Sequence, residues 1–141
     1  MRALVPGERT EVAGVVPLTA SGAEVALALV ALDSAGRAAS GFPPTDNRSR
    51  ELRPAVAFDE DGALLVRLDA VPAEVERLLL VAFSHDGRAI GAALLLTAGA
   101  LRFPVDLAGR ADAAVILAEL YRHRGGWRLA ANGQGFAGGL A

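Results

Sequence analysis

Cysteine is absent from this chain. That removes disulfides, thiolate metal ligands and a thiol nucleophile together, and nothing points to an oxidising compartment. Lysine is absent too: all 14 basic residues are arginine. With the heavy use of Ala and Gly, this reads as a coding bias rather than as chemistry. Aromatic residues make up only 5% of the chain, too few for a base-stacking platform. The net charge is −2, with no basic stripe. Generic nucleic-acid binding needs clustered cations to release phosphate counterions, so no nucleic-acid partner is expected. The longest apolar stretches, near Leu78–Phe83 and Ala92–Leu96, fall far short of the about 20 residues that span a bilayer. The opening ten residues carry no long apolar run either. Neither a signal peptide nor a membrane span is expected, and the expected location is cytoplasmic.

What is present suits a folded domain. The hydrophobic fraction is 52% of 141 residues. One domain over 1–141 is expected, burying roughly 70% of the surface its unfolded chain exposes. Turn signals are frequent: Pro6-Gly7, Ser21-Gly22, Ser34-Ala35-Gly36, Pro43-Pro44, Asp61-Gly62, Asp86-Gly87 and Gly125-Gly126. Short apolar segments between frequent turns predict a mostly β protein, a sandwich or barrel.

Individual segments sharpen that. Leu64, Val66 and Leu68 share one strand face, with Arg67 on the other. Arg9–Val16 reads as a strand carrying Thr10, Val12, Val15 and Val16. Leu78–Phe83 is apolar on both faces, as a central strand is. Asp86-Gly87 predicts a hairpin turn into Arg88–Leu96. Pro104 lacks an amide donor and predicts an edge position for the strand around it. One short helix is expected over about residues 71–77, because Pro72 suits a first helical turn, and Glu74 and Arg77 match the helix dipole. Residues 111–123 are ambiguous. Their Ala, Leu and Glu content favours helix, while Val115, Leu117 and Tyr121 alternate with Ile116 and Leu120 as in a strand.

The tail carries a longer pattern. Glu119-Leu120-Tyr121-Arg122-His123-Arg124-Gly125-Gly126-Trp127-Arg128-Leu129 leads into Gly133-Gln134-Gly135-Phe136-Ala137-Gly138-Gly139-Leu140. This resembles the closing signature of the TerD family of tellurium-resistance and general stress proteins, close to G-E-L-Y-R-x-x-G-x-W-K and then G-Q-G-Y-x-G-G-L. Upstream, Leu68–Arg77 is similar to the family's V-D-L-x-x-V-P-A-D-V stretch. Ala31–Arg37 resembles its L-L-D-x-x-G-K turn, Thr45–Ser49 its G-D-N-x-T-G loop, and Leu4–Glu8 its opening L-x-K-G-x. The resemblance spans nearly the whole chain in shortened form. It implies a β-sandwich of two sheets with a short helix after the middle strand. It also implies that 111–123 and 127–131 are paired strands, against the propensity reading.

The resemblance further implies calcium. The family's ligands come from an Asp-Leu-Asp strand, the G-D-N-x-T-G loop and a downstream acidic stretch. Calcium takes six to eight oxygens, several of them anionic. Counted back from Asp33, the Asp-Leu-Asp falls on Glu24-Val25-Ala26, and the following Ala-Ser on Leu27-Ala28. One carboxylate lengthens and the other becomes a methyl group. The loop keeps Asp46 and Asn47, but Thr45 and Arg50 replace its glycines, and Arg48 and Arg50 bring positive charge. The acidic stretch is Asp59-Glu60-Asp61-Gly62. A calcium site would rest on Asp46, Asn47, Asp59, Glu60 and Asp61, with Glu24. Without calcium, Asp59–Gly62 is an ordinary acidic turn, and Asp46-Asn47 an Asx turn after Pro43-Pro44.

Other chemistry finds little support. His85 and His123 lack a third ligand for zinc. Ser84-His85-Asp86 are contiguous, so their side chains diverge and form no triad. Gly133-x-Gly135 is followed by no lysine and lacks a phosphate-loop setting. Trp127 and Tyr121 read as core or sheet-face aromatics. The expectation is a binding module, not an enzyme, with a protein partner and its calcium site degenerate. Exposed sheet edges leave a homo-oligomer open. The alternative is a working calcium sensor.

Overall fold

The computed structural model describes residues 2–37, 45–46, 56–58, 63–84 and 86–136. Among them the strands run β1 (Arg2–Ala3), β2 (Arg9–Val12), β3 (Val15–Ser21), β4 (Ala26–Leu32), β5 (Thr45–Asp46) and β6 (Val56–Phe58). They continue with β7 (Leu64–Arg67), β8 (Arg77–Phe83), β9 (Ala93–Ala98), β10 (Leu101–Asp106), β11 (Ala114–His123) and β12 (Gly126–Phe136). One sheet has the order β1-β10-β9-β3-β7-β6, the other β2-β12-β11-β8-β4-β5. The β-sandwich expectation holds.

The sheets face each other across one core. Leu18, Leu64, Val66, Leu94, Leu96 and Phe103 come from the first sheet; Leu29, Leu78, Leu80, Leu117, Leu120 and Leu129 come from the second. Each fully buried Leu or Phe contributes about 1.5–3 kcal/mol relative to exposure. Period-2 alternation sends these side chains inward and their neighbours outward. β8 sits between β11 and β4, which is why Leu78–Phe83 is apolar on both faces. Its inward residues join the main core. Val81 and Phe83 join a second apolar cluster on the outer face, with Ala26, Ala28 and Ala114.

Residues 114–123 form a strand despite their helix-favouring composition. β11 pairs with β12 on one side and β8 on the other, with a bulge between Ile116 and Ala118. Two ladders of hydrogen bonds and a buried inward face outweigh a propensity preference of a few tenths of a kcal/mol per residue.

Three local expectations change. Residues 84–92 do not close a hairpin, because β8 already has partners on both edges; the connection crosses to β9 in the opposite sheet. Arg9–Val16 is not one strand. It breaks at Gly14, whose φ is +70°, and its halves enter different sheets. The helix expected over about 71–77 does not form; a single 3-10 turn lies just before it, at Leu68–Ala70. Val71 precedes Pro72 and is extended there, as a pre-proline residue prefers. The carbonyls of Val71, Pro72 and Val75 accept from the Arg122 guanidinium at 3.2, 3.0 and 2.8 Å. Pro104 lies in β10, where β1 pairs only with Leu101 and Arg102, so its outer side meets no strand among the described residues.

Candidate functional site

Two regions on the outer face of the β2–β5 sheet bear on function, one expected from sequence and one not. The first surrounds β4. Glu24 is exposed in the turn before the strand. Ala26 and Ala28 point to the outer face opposite Phe83 and Val81, and are 0% and 3% exposed. The backbone of Asp46 in β5 pairs with Ala28. The structure thus brings the loop segment and the strand side by side. Asn47, Asp59, Glu60 and Asp61 lie outside the described residues, as does His85. At β4 the described donors reduce to the Glu24 carboxylate and two methyl groups in an apolar cluster. A dication needs several anionic oxygens, and this stretch of the chain itself supplies one carboxylate. Among the described residues, no group of three or more His, Asp or Glu side chains is placed to hold a metal ion. Ser84 Oγ is buried without a hydrogen-bond partner among the described residues, so it offers no accessible nucleophile.

The Asp33–Arg37 turn behaves as its motif suggests. Asp33 Oδ1 accepts from the amides of Ala35 and Arg37 at 2.9 and 3.0 Å, and Gly36 takes φ +78°. The glycine strip of the tail also has a physical reason. A Cβ on Gly135 would run into the Asp112 carboxylate, which pairs with Arg110 at 2.7 Å. Gly133 holds φ +88° beside the Phe103 ring.

The second region is the hairpin end of the sandwich. Arg124 and Gly125 link β11 to β12 in a two-residue turn, both at positive φ (+49° and +79°). This is the type I′ geometry that matches strand twist. The turn, β2 and β12 frame a cleft of about 490 Å³ lined by Glu11, His123, Arg124, Trp127 and Arg128 among others. It runs into a second hollow of about 380 Å³ beside Leu68–Val71. The floor is rigid. Trp127 is 7% exposed, the Arg122 guanidinium stacks 4.5 Å from its ring centroid, and Arg122 bonds to three carbonyls across the gap. Partial burial holds the His123 imidazole below its ordinary range; Arg128, Arg124 and Arg9 add to that, while Glu11 opposes it.

Sequence reading missed this second region. Arg122, Arg124 and Arg128 sit within seven residues around Gly125-Gly126, which was the available signal. Their clustering with Arg9 depends on β2 pairing with β12, a contact over more than a hundred residues that no local pattern reveals.

The TerD domain family matches residues 46–141. That match starts at Asp46, after β4. A tellurium resistance protein TerD from Serratia marcescens is 34% identical over 109 residues, covering 68% of this chain and 54% of that one. General stress protein 16U from Bacillus subtilis (strain 168) is 30% identical over 95 residues, covering 58% and 49%. The chain thus spans about half the length of the curated relatives it matches. A crystal structure of a telluride resistance protein (TerD) homologue from Streptomyces coelicolor A3(2) shares the fold. Its TM-score is 0.64 at 12% identity, covering 88% of this chain and 90% of that one. Among the described residues, no helix is long and apolar enough to cross a membrane. The sandwich, the hairpin with its glycine strip and the family match over 46–141 converge: the chain belongs to the TerD family.

Proposed function

We propose that this chain is a non-catalytic binding module of the tellurium-resistance and stress-response type, working through a protein partner, with its calcium site degenerate. The observation that carries the reading is the state of β4. The positions aligned with the second strand carboxylate and the serine are Ala26 and Ala28, packed against Val81, Phe83 and Ala114. A methyl group donates no lone pair, and a carboxylate placed there without a cation would be desolvated. Thermal unfolding with calcium and with chelator tests it. A ligand at 100 times its dissociation constant adds about 2.7 kcal/mol of stability. Coincident melts support the degenerate reading.

The alternative is a working calcium sensor built on Asp46, Asn47, Asp59, Glu60 and Asp61, with Glu24. The pairing of Asp46 with Ala28 favours it, because it sets the backbone of Asp46 beside the strand that Glu24 leads into. In that case calcium raises the melting temperature, and Asp46→Ala abolishes the rise.

A further inference from the structure

The hairpin-end cleft has features that packing alone does not explain. Arg77, Arg88 and Arg110 each sit against a carboxylate, at 3.2, 3.8 and 2.7 Å. Arg122 is committed to three carbonyls and to the face of Trp127. Arg124 and Arg128 line the cleft instead, and neither guanidinium has an ion-pair or hydrogen-bond partner among the described residues. Arg9 adds a third cation nearby, its guanidinium 5.8 Å from the Tyr121 ring centroid. The carboxylate lining the cleft is Glu11, which shares a cross-strand row with Arg128. Two cleft-lining arginines, with Arg9 flanking them on β2, thus face one cleft-lining carboxylate around an open hollow.

Arg124 also occupies an expensive position. The first residue of a type I′ turn favours Asn, Asp or Gly, and a bulky side chain at φ +49° is strained. A strained arginine at a turn tip, aimed at a cleft with another unmatched arginine, is a conflict of the kind found at functional sites. Guanidinium groups present planar forks of N–H donors that match the spacing of oxygens on phosphoryl-like anions. The charge does not extend as a track. Glu11, Asp69 and Glu119 interrupt it, so a nucleic-acid polymer lacks its footprint.

We propose that this cleft binds a compact multivalent oxyanion of the phosphoryl type, gripped by the Arg124 and Arg128 guanidiniums with Arg9 adding to the field. The proposal goes beyond the reading of a partner-binding module and stands whatever the fate of calcium. His123 serves as a built-in reporter. Its imidazole faces Arg128 from β12, Arg124 from the turn, Arg9 and Glu11 from β2, and the edge of Tyr121 at 6.4 Å. A bound anion offsets the three arginines and raises the imidazole pKa.

The test is calorimetric titration of the intact chain at about 20 mM ionic strength, where screening is weak, alongside NMR titration of the two imidazoles with His85→Gln to assign them. The probe is sodium pyrophosphate. Expected are saturable binding, an upward shift of the His123 pKa, and at least tenfold weaker binding in the pair Arg124→Asn, Arg128→Gln. Asn tolerates the positive φ, so the turn survives. Glu11→Gln removes the opposing carboxylate and tightens binding several-fold, an effect that loss of folding cannot imitate. Adenosine diphosphate binding tighter than pyrophosphate assigns the phosphoryl group to a larger organic molecule, and equal binding assigns it to a free anion. Tellurite binding in place of pyrophosphate would replace the phosphoryl class with another oxyanion and overturn the assignment. An equal His123 shift from sodium chloride at matched ionic strength would reduce the effect to screening. Unchanged binding in the arginine double variant, or no tightening by Glu11→Gln, would also overturn it.

Discussion

One outer sheet face carries two opposite surfaces. Toward one end, the rows Ala26–Phe83–Ala114 and Ala28–Val81–Ile116 are apolar, with Ala26 and Ala114 fully buried. Toward the other, the row Glu11–Arg128–Tyr121–Arg77 is charged and borders the cleft. The backbone is the same antiparallel ladder throughout, so alternation decides only which side chains point outward. Whether that outward surface packs or stays available to a ligand depends on residue chemistry. At the apolar end, alanines stand at the positions that the resemblance aligns with oxygen donors. At the charged end, arginines exceed their carboxylates. On the two proposals above, a binding role has weakened in one half, while the other half is equipped for one.

The hardest way to break this contrast is to put charge into the apolar half. Ala26→Asp buries a carboxylate among Phe83, Val81 and Ala114, and is expected to cost about 3–4 kcal/mol in urea denaturation. Millimolar calcium should not restore it. Restoration would mean that one lost carboxylate is the whole defect. At the charged half, Arg122→Ala removes three charge-assisted bonds and a cation–π contact on Trp127, an expected loss of about 2–3 kcal/mol. Hydrogen exchange should show residues 71–76 losing protection first. Arg122→Lys should recover little, because an ammonium cannot fork across three carbonyls.

Gly135→Ala calibrates both against ordinary overpacking. Its Cβ meets the Asp112 carboxylate, and a cost of about 1–3 kcal/mol is expected. Combining it with Asp112→Ala should cost less than the sum of the two. The smallest effect is a pH dependence. His123 has a folded-state pKa below its ordinary value of 6.5, so between the two values the unfolded chain holds more protons. Stability therefore rises with pH through that window and is lost as pH falls below 6.5. Melting curves between about pH 5 and pH 7.5 should be less steep in pH for His123→Gln than for the parent chain.

Much of the sandwich is legible in residues alone. Leu64, Val66 and Leu68 alternate into the core as expected, and the two-faced apolarity of Leu78–Phe83 marks the centre of its sheet. Propensity misleads at 114–123, where the paired ladders of β8 and β12 overrule it; the apolar alternation leaves the segment open, and the tail motif decides it the right way. Asp86-Gly87 is a good hairpin signal whose flanking strands part company, because sheet membership depends on edges already occupied. The helix near Pro72 does not form: Val71 is extended before the proline, and the carbonyls of Val71, Pro72 and Val75 bond to a distant guanidinium. The candidate site divides the same way. The alanines at 26 and 28 are found by counting from Asp33, and their packing on Phe83 and Val81 follows from register. The arginine cleft is not readable, since it forms only when β2 closes onto β12.

The two halves can be compared in one sample. Amide shift mapping of a nitrogen-labelled chain, titrated first with calcium and then with pyrophosphate, reads both. Calcium should leave residues 24–32 and 45–46 unmoved, while pyrophosphate should shift residues 9–12 and 123–128. Calcium-dependent shifts centred on Glu24, Ala28 and Asp46, with the hairpin end silent to pyrophosphate, would contradict the contrast between the halves.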